Sequence, residues 1–270
     1  MFISDGWPSE EAAWAAAAKY LPAVLRTFAR LRIGVDYGRR RPISGGFTEE
    51  VRASMGKAQG WLVLNEQSGI MVYPTDLPVV LAGSSGSANV FIVQEHFEAV
   101  LADATAAIEP LTAREIVSLD LYNASFFQKS ADIRLLMLVM AIEALLNPAV
   151  RSASSLAHVE RLLDLTKEAA LDPKESASIL GSLRRLKNES IRQTGMKLVS
   201  SQLGDRRYAD KSATDFFYYC YGLRSSLAHG ACPLPEHGQV GRAAASLEMM
   251  VSDLLAGRLK ELDLNALAPG

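Results

Sequence analysis

The sequence changes character near Pro110, and this change constrains the fold more than any other feature. Beyond that point strand signals almost vanish, and segments with helical period follow one another between N-cap residues and proline or glycine stops. The predicted helices cover residues 111–128, 130–146, 155–170, 173–186, 190–203, 212–229 and 240–262. We therefore predict a helical bundle for residues 110–270.

Residues 1–109 predict a mixed α and β region. Ser9 is an N-cap for an alanine-rich helix that extends to Leu31, and Pro22 should break or kink that helix. Short β-branched or aromatic segments follow, separated by Gly, Pro, Asn and Ser, and predict strands and turns. These segments are RIGVDYG, WLVLNE, IMVYP, LPVVLAG and ANVFIV, of which the second and third predict a hairpin. The expected fold class is α+β.

Composition limits the classes of function. With 49% hydrophobic and 21% charged residues, the chain has the content of a folded globular protein. Its net charge of -2 is unlike that of a protein that coats duplex nucleic acid, so any nucleic-acid contact should be a local basic patch. Two cysteines, no leader-like N-terminus and no apolar run long enough for a bilayer favour a cytoplasmic protein without a membrane contact.

The segment DFFYYCYGLRSSLAHGA is the most informative for chemistry. Arg224 and His229 lie five residues apart near the end of the predicted helix, which Gly230 and Pro233 should stop at His229. Five helical residues rotate by roughly 500°, so the two side chains stand about 140° apart. They can border a cleft, or meet their counterparts across a two-fold axis.

These two residue types suit cleavage of RNA by its own 2′-hydroxyl without a metal. A histidine transfers protons at neutral pH, and a guanidinium binds a phosphate and stabilises charge that builds up on it. Positive charge is favoured at a helix C-terminus, so His229 suits protonation of the leaving group better than abstraction of a proton.

Three ordered segments carry a family resemblance. The first contains an aromatic-rich helix and then a helix with Arg and a Glu-Ala-Leu ending, the second contains a helix that opens with Ser-Ile, and the third contains a tyrosine-rich helix that ends in Arg, the spaced His and Gly. They are LYNASFFQKSADIRLLMLVMAIEALL, LKNESIRQTGMKLVSSQLG and FFYYCYGLRSSLAHG. Together they resemble the HEPN superfamily, in particular its Apea-like branch, over residues 111–262.

The resemblance implies an all-helical domain that forms a homodimer, with two motifs facing a shared cleft. It matches Arg224 and His229 to the pair to which ribonuclease activity is attributed, with no cofactor. Ser225 departs from the Asn, Asp or His that many members have after the arginine, although a serine can still bind a phosphate. Family settings include toxin–antitoxin pairs and antiviral defence, so an antitoxin or regulatory protein is a further expected partner.

Glu143 is a carboxylate within the apolar run LLMLVMAIEALL, where burial without a partner would be costly. It should pair with Arg134, Arg224 or another base, and it can also orient Arg224 or His229 in the site. Both statements can hold together, so Glu143 and Ser225 join the candidate catalytic residues.

Two further features are candidates for RNA binding. The basic loop of Arg39, Arg40 and Arg41 can contact phosphates, although such loops are commonly only solvated. The aromatic residues of the motif helix should mostly be core or dimer interface, and Tyr218 or Tyr221 can stack on a base. Tyr221 is the one we assign to RNA.

A zinc site formed by Cys220, His229, Cys232 and His237 is a weak alternative, because the spacing lacks a tight Cys or His pair. Motifs for nucleotide hydrolysis, dinucleotide binding, α/β-hydrolase chemistry and zinc proteolysis are missing. The Arg224 and His229 motif, taken with the resemblance, predicts a metal-independent endoribonuclease. The alternatives are a non-catalytic RNA-binding or protein-interaction module, and a small-ligand sensor with a pocket among residues 32–93.

Overall fold

The computed structural model describes residues 4–37, 49–65, 71–76, 78–82, 94–106, 110–230 and 233–256. These residues are mostly helical, with two small two-stranded sheets. In chain order the elements are α1 (Glu10–Arg30), α2 (Glu49–Gln59), β1 (Leu62–Asn65), β2 (Val79–Ala82), α3 (Gln94–Ala106), α4 (Ala113–Phe126), α5 (Ala131–Leu145), α6 (Ala153–Glu168), α7 (Pro173–Arg185), α8 (Ile191–Leu203), β3 (Arg207–Tyr208), β4 (Lys211–Ser212), α9 (Ala213–Ala228) and α10 (His237–Ala256). They form two compact units, one with the elements from α1 to α3 and one with those from α4 to α10.

In the first unit, α1 begins where the sequence predicts and continues past its proline. The Ser9 side chain accepts a hydrogen bond from the Ala12 N–H at 3.2 Å, which confirms the N-cap. Of the predicted break or kink at Pro22, the break does not occur, because α1 continues to Arg30. Pro22 is itself buried, so its packing helps to offset the backbone hydrogen bond that a proline cannot donate. Helix α1 packs on α3 through the rings of Phe28 and Phe97, whose centroids are 5.8 Å apart.

The predicted hairpin is wrong. Strand β1 pairs in parallel with β2, and the Leu62 N–H donates to the Pro78 carbonyl at 2.8 Å. Residues 71–74, expected to be the second hairpin strand, form no strand, and neither do residues 33–37. Parallel pairing needs a longer connection than a hairpin, and the chain between β1 and β2 provides it. The strand expected at ANVFIV lies outside the described residues.

In the second unit, α5 is the central helix and packs against α4, α9 and α10. The Ser118 hydroxyl of α4 donates to the Ala141 carbonyl of α5 at 2.7 Å in the buried interface. The largest fully buried side chains of the unit are Tyr122, Phe216, Phe217, Leu119, Leu135, Leu138, Ile142, Leu247, Met250, Val139 and Val199. The helices of this unit therefore form the predicted bundle.

Helix starts in this unit follow the capping residues in the sequence. Thr112 and Ser190 each form a capping box, with Glu115 and Gln193 respectively. Asp172 caps α7 ahead of a proline at the first helical position. Within the described ranges, none of the helices combines the length and apolar composition that crossing a bilayer requires.

Candidate active site

The end of α9 places His229 at the surface. Ser212 caps the start of α9 and His229 its end, where the His229 N–H donates to the Ser225 carbonyl at 3.1 Å. Gly230 follows with φ of 64°, the left-handed conformation in which a glycine ends a helix at little cost. The predicted stop is therefore confirmed, and the His229 side chain is exposed to solvent.

Arg224 points instead toward α5. Its Nη2 donates to Oε2 of Glu143 at 3.4 Å, and the side chains are 27% and 20% exposed respectively. The other candidate partner of Glu143, Arg134, forms an ion pair with Glu248 of α10. Of the two arginines considered from the sequence, the structure thus brings Arg224 to Glu143.

Burial changes the pKa of the Glu143 carboxyl. Desolvation raises the pKa of its carboxyl above the usual value for a glutamate, and the charge and hydrogen bond of Arg224 lower it by less. The pair is therefore one in which the carboxylate costs more to ionise than it would in water.

Tyr221 lies beneath Arg224. The guanidinium carbon of Arg224 is 5.9 Å from the centroid of the Tyr221 ring, within the range of a cation–π interaction. That ring also packs at 5.9 Å on Phe217, which is fully buried. Tyr221 and Glu143 therefore hold Arg224 from two sides, and much of Tyr221 is committed to packing.

The five candidate residues do not form one contact cluster within a single chain. Arg224, Glu143 and Tyr221 are in contact, whereas His229 makes no side-chain bond to any of them in the described part of the chain. Ser225 is half-buried, one position beyond Arg224, and lies on the same side of α9 as His229 by helical spacing.

The other predictions of site residues have different outcomes. Arg39, Arg40 and Arg41 lie outside the described residues, as does Cys232. Cys220 is fully buried, and burial raises the pKa of its thiol to about 12, which disfavours the thiolate that a metal would need. The described residues include no group of three or more His, Cys, Asp or Glu placed to hold a metal ion. The pocket of the ligand-sensor alternative falls on residues that are described only in part.

No protein-family model matches this chain, and no curated protein or solved structure proves similar to it.

Two features near α9 were not assigned from the sequence. Arg192 of α8 lies over the ring of Tyr218, with 5.0 Å from its guanidinium carbon to the ring centroid. Helix α5 leaves Ile133 and Met140 exposed by 46% and 44%. The seven-residue spacing of Ile133 and Met140 places both on one face of α5, and this spacing could have revealed the exposed apolar face from the sequence. The contact between Arg192 and Tyr218 depends on how α8 and α9 pack, which the sequence pattern does not show.

Proposed function

We propose that this chain is a metal-independent endoribonuclease that acts as a homodimer. The observation that carries the proposal is the placement of an arginine and a histidine at one helix end. Arg224 is held by Glu143 and Tyr221, and His229 is free to meet a substrate at the surface. An oriented cation and an exposed proton-transfer group are the two functions that attack of a 2′-hydroxyl on its own phosphate requires.

In the proposed reaction the substrate supplies its own nucleophile. The 2′-oxygen forms a bond to phosphorus and loses its proton to solvent, while the bond from phosphorus to the 5′-oxygen breaks. Arg224 stabilises the negative charge on the non-bridging oxygens, with Ser225 as an additional hydrogen-bond donor to the phosphate. Protonated His229 donates its proton to the departing 5′-oxygen. The products are a 2′,3′-cyclic phosphate and a 5′-hydroxyl.

Glu143 has a positioning role in this proposal. It does not reach the reacting atoms itself, but its contact with Arg224 fixes the direction of the guanidinium. Burial raises the pKa of the Glu143 carboxyl, because the desolvation cost of its charge exceeds the stabilisation by Arg224. The contact uses one guanidinium nitrogen of Arg224, so the other N–H groups of the guanidinium can bind a phosphate.

The exposed apolar face of α5 supports the homodimer. Ile133 and Met140 lie on one side of the helix, and a second copy of the chain would cover them. Glu143 lies toward the end of the same helix, so a two-fold axis near this face would bring two copies of the Arg224 and His229 pair toward one cleft. This arrangement would also allow Arg224 of one subunit to act with His229 of the other. Control of such an activity by a partner protein, such as an antitoxin, is part of the proposal.

The second candidate is a non-catalytic RNA-binding or protein-interaction module. The observation that favours it is that Glu143 already neutralises Arg224 within the chain. An arginine with a carboxylate partner is a common structural element, and an exposed histidine at a helix end needs no catalytic role.

The test is cleavage of a pool of single-stranded and structured RNA in excess EDTA. We would compare the wild type with Arg224→Gln and His229→Gln, and use Arg184→Gln and His158→Gln as matched controls on exposed residues of α7 and α6. The expected result is 2′,3′-cyclic ends from the wild type and both controls, and a loss of at least about 100-fold in rate for the two site variants.

Three results would count against the proposal. They are no cleavage by a folded dimer, equal cleavage by the site variants, and cleavage that EDTA abolishes. RNA binding without cleavage, retained in His229→Gln, would support the non-catalytic module instead.

A further inference from the structure

Tyr218 differs from the other aromatic residues of α9. Phe216 and Phe217 are fully buried, and the hydroxyl of Tyr219 accepts a hydrogen bond from the Gln239 side chain at 2.9 Å. Tyr221 is packed between Phe217 and Arg224. Tyr218, by contrast, is 49% exposed, so a large aromatic surface is open to solvent on the helix that carries the candidate site.

Arg192 adds a positive charge beside this ring. Its guanidinium carbon is 5.0 Å from the Tyr218 ring centroid, and the residue is exposed. No carboxylate in the described part of the chain pairs with Arg192. An exposed ring beside an arginine without an acidic partner offers a stacking surface and a phosphate contact together.

Helical geometry places Tyr218 on the same side of α9 as two of the candidate residues, Ser225 and His229. With 100° per residue, Gly222, Ser225 and His229 all lie within roughly 40° of the direction of Tyr218 around α9. The line from Tyr218 to His229 is about 17 Å long at 1.5 Å per residue. It therefore follows the surface of one helix from the exposed ring to the exposed histidine.

Gly222 leaves this line open. A Cβ placed on Gly222 would meet nothing within 4 Å. Side chains in a helix lean toward its N-terminus, so a long side chain at this position would lie over the preceding turn, which carries Tyr218. With glycine there, no side chain of α9 itself separates the Tyr218 ring from Ser225 along this line.

We propose that Tyr218 and Arg192 form a subsite for an unpaired RNA base, one to a few nucleotides away from the bond that is cut. The Tyr218 ring stacks on the base, and Arg192 binds the adjacent phosphate. The proposal rests on the proposed function in taking RNA as the ligand. Stacking on an aromatic ring requires an unpaired base and tolerates any base, so the subsite selects single-stranded RNA without strong sequence preference.

The test measures binding rather than cleavage. The probe is a fluorescent single-stranded oligonucleotide of mixed sequence with 2′-O-methyl groups, which has no 2′-hydroxyl to attack the phosphate, beside the same strand in a duplex. The variants are Tyr218→Ala, Tyr218→Phe, Arg192→Ala and Gly222→Gln. The matched control is Tyr20→Ala, because Tyr20 is another exposed tyrosine, at 44%, with a lysine over its ring.

The expected result is weaker single-strand binding, by about 5-fold to 150-fold, for Tyr218→Ala. Gly222→Gln should weaken binding in the same direction by covering the ring, and Arg192→Ala should weaken it and reduce its salt dependence. Tyr218→Phe keeps the stacking surface and should bind like the wild type, as should Tyr20→Ala. Gly222→Gln occupies open space, so it tests the subsite even if Tyr218→Ala folds poorly.

Other outcomes separate this inference from the proposed function. Unchanged binding by Tyr218→Ala and Gly222→Gln overturns the subsite alone. Loss of the dimer in both variants overturns it too, and makes this surface an interface between copies. Binding that depends on Tyr218, together with no cleavage of natural RNA, supports the subsite and contradicts the proposed nuclease activity. A wild type that binds no RNA overturns both.

Discussion

Arg224 and Glu143 are 81 positions apart in the sequence, yet Nη2 of the arginine lies 3.4 Å from Oε2 of the carboxylate. The contact joins the C-terminal parts of α5 and α9. It is partly buried, so water screens it less than an exposed pair. A charge that would be costly at the edge of an apolar helix is thereby given a partner, and the guanidinium of the candidate site is given a fixed direction.

The first prediction concerns the pH dependence of stability that Glu143 causes. Burial raises the pKa of its carboxyl in the folded protein above the value in the unfolded chain. Between those two pKa values the folded state binds more protons, so stability must fall as pH rises through that window. Glu143 therefore favours the folded state most below its ordinary pKa, and this advantage is lost as the carboxyl ionises.

The measurement is urea unfolding of the wild type and Glu143→Gln from about pH 4 to about pH 7. The free energy of unfolding of the wild type, relative to the variant, should decrease across this range. A flat or rising difference would contradict the raised pKa. In Arg224→Gln the charge that lowers the pKa is removed, so the Glu143 pKa should rise further, as carboxyl titration by NMR would report.

The second prediction concerns close packing of α8 on α9. A Cβ on Gly195 would overlap the ring of Phe217, which is fully buried and cannot move aside freely. Gly195→Ala should therefore destabilise the protein. Overpacking should cost about 1–3 kcal/mol, and the better helix propensity of alanine should offset about 1 kcal/mol of that cost. Thermal unfolding followed by circular dichroism would measure it.

Gly222→Ala is the matched control, because it is the same substitution in the neighbouring helix with open space around the new methyl group. It should raise stability by up to about 1 kcal/mol. Equal effects of the two substitutions would mean that Gly195 has no packing role.

The helix starts and the end of α9 were predicted correctly, because they depend on residues that are close together in the sequence. Thr112 with Glu115, Ser190 with Gln193, and Asp172 form their caps with residues no more than three positions away, so the helix starts are visible in a short stretch of sequence. Gly230 likewise marks the end of α9 by its own conformation.

The features that were not predicted depend on contacts between segments that are far apart in the sequence. The strand at LPVVLAG was predicted, but its parallel pairing with β1 was not, because a strand pattern does not specify its partner. For the same reason the sequence left Glu143 with either Arg134 or Arg224, and it did not connect Arg192 with Tyr218. Such choices depend on the relative rotation of packed helices, which short-range patterns leave open.

The third prediction concerns the attachment of the β3–β4 hairpin to α10. The Tyr208 hydroxyl donates to Oδ2 of Asp253 at 2.6 Å, and Arg206 binds the other carboxylate oxygen at 3.2 Å. Burial and this hydrogen bond raise the pKa of the Tyr208 phenol well above its usual value. Tyr208→Phe should cost about 1.5–3 kcal/mol, since it removes a hydrogen bond to a charged group in a partly buried site.

Urea unfolding of Tyr208→Phe would measure this loss, with Tyr218→Phe as the matched control on an exposed ring. The control should change stability by less than about 0.5 kcal/mol. If Tyr208→Phe were as stable as that control, the Asp253 contact would be without energetic effect. A spectrophotometric titration should also show one tyrosine that stays protonated until the protein unfolds in alkali.

The fourth prediction concerns the reactivity of Cys220. Its side chain is fully buried, and burial raises the pKa of the thiol to about 12, so neither access nor ionisation favours reaction at neutral pH. In a Cys232→Ser variant, which leaves Cys220 as the sole thiol, labelling by a disulfide reagent should proceed only as fast as the protein opens. Labelling should become fast in denaturant. Rapid labelling of the folded variant would mean that the α9 core opens readily, and would remove the main reason for excluding Cys220 as a metal ligand.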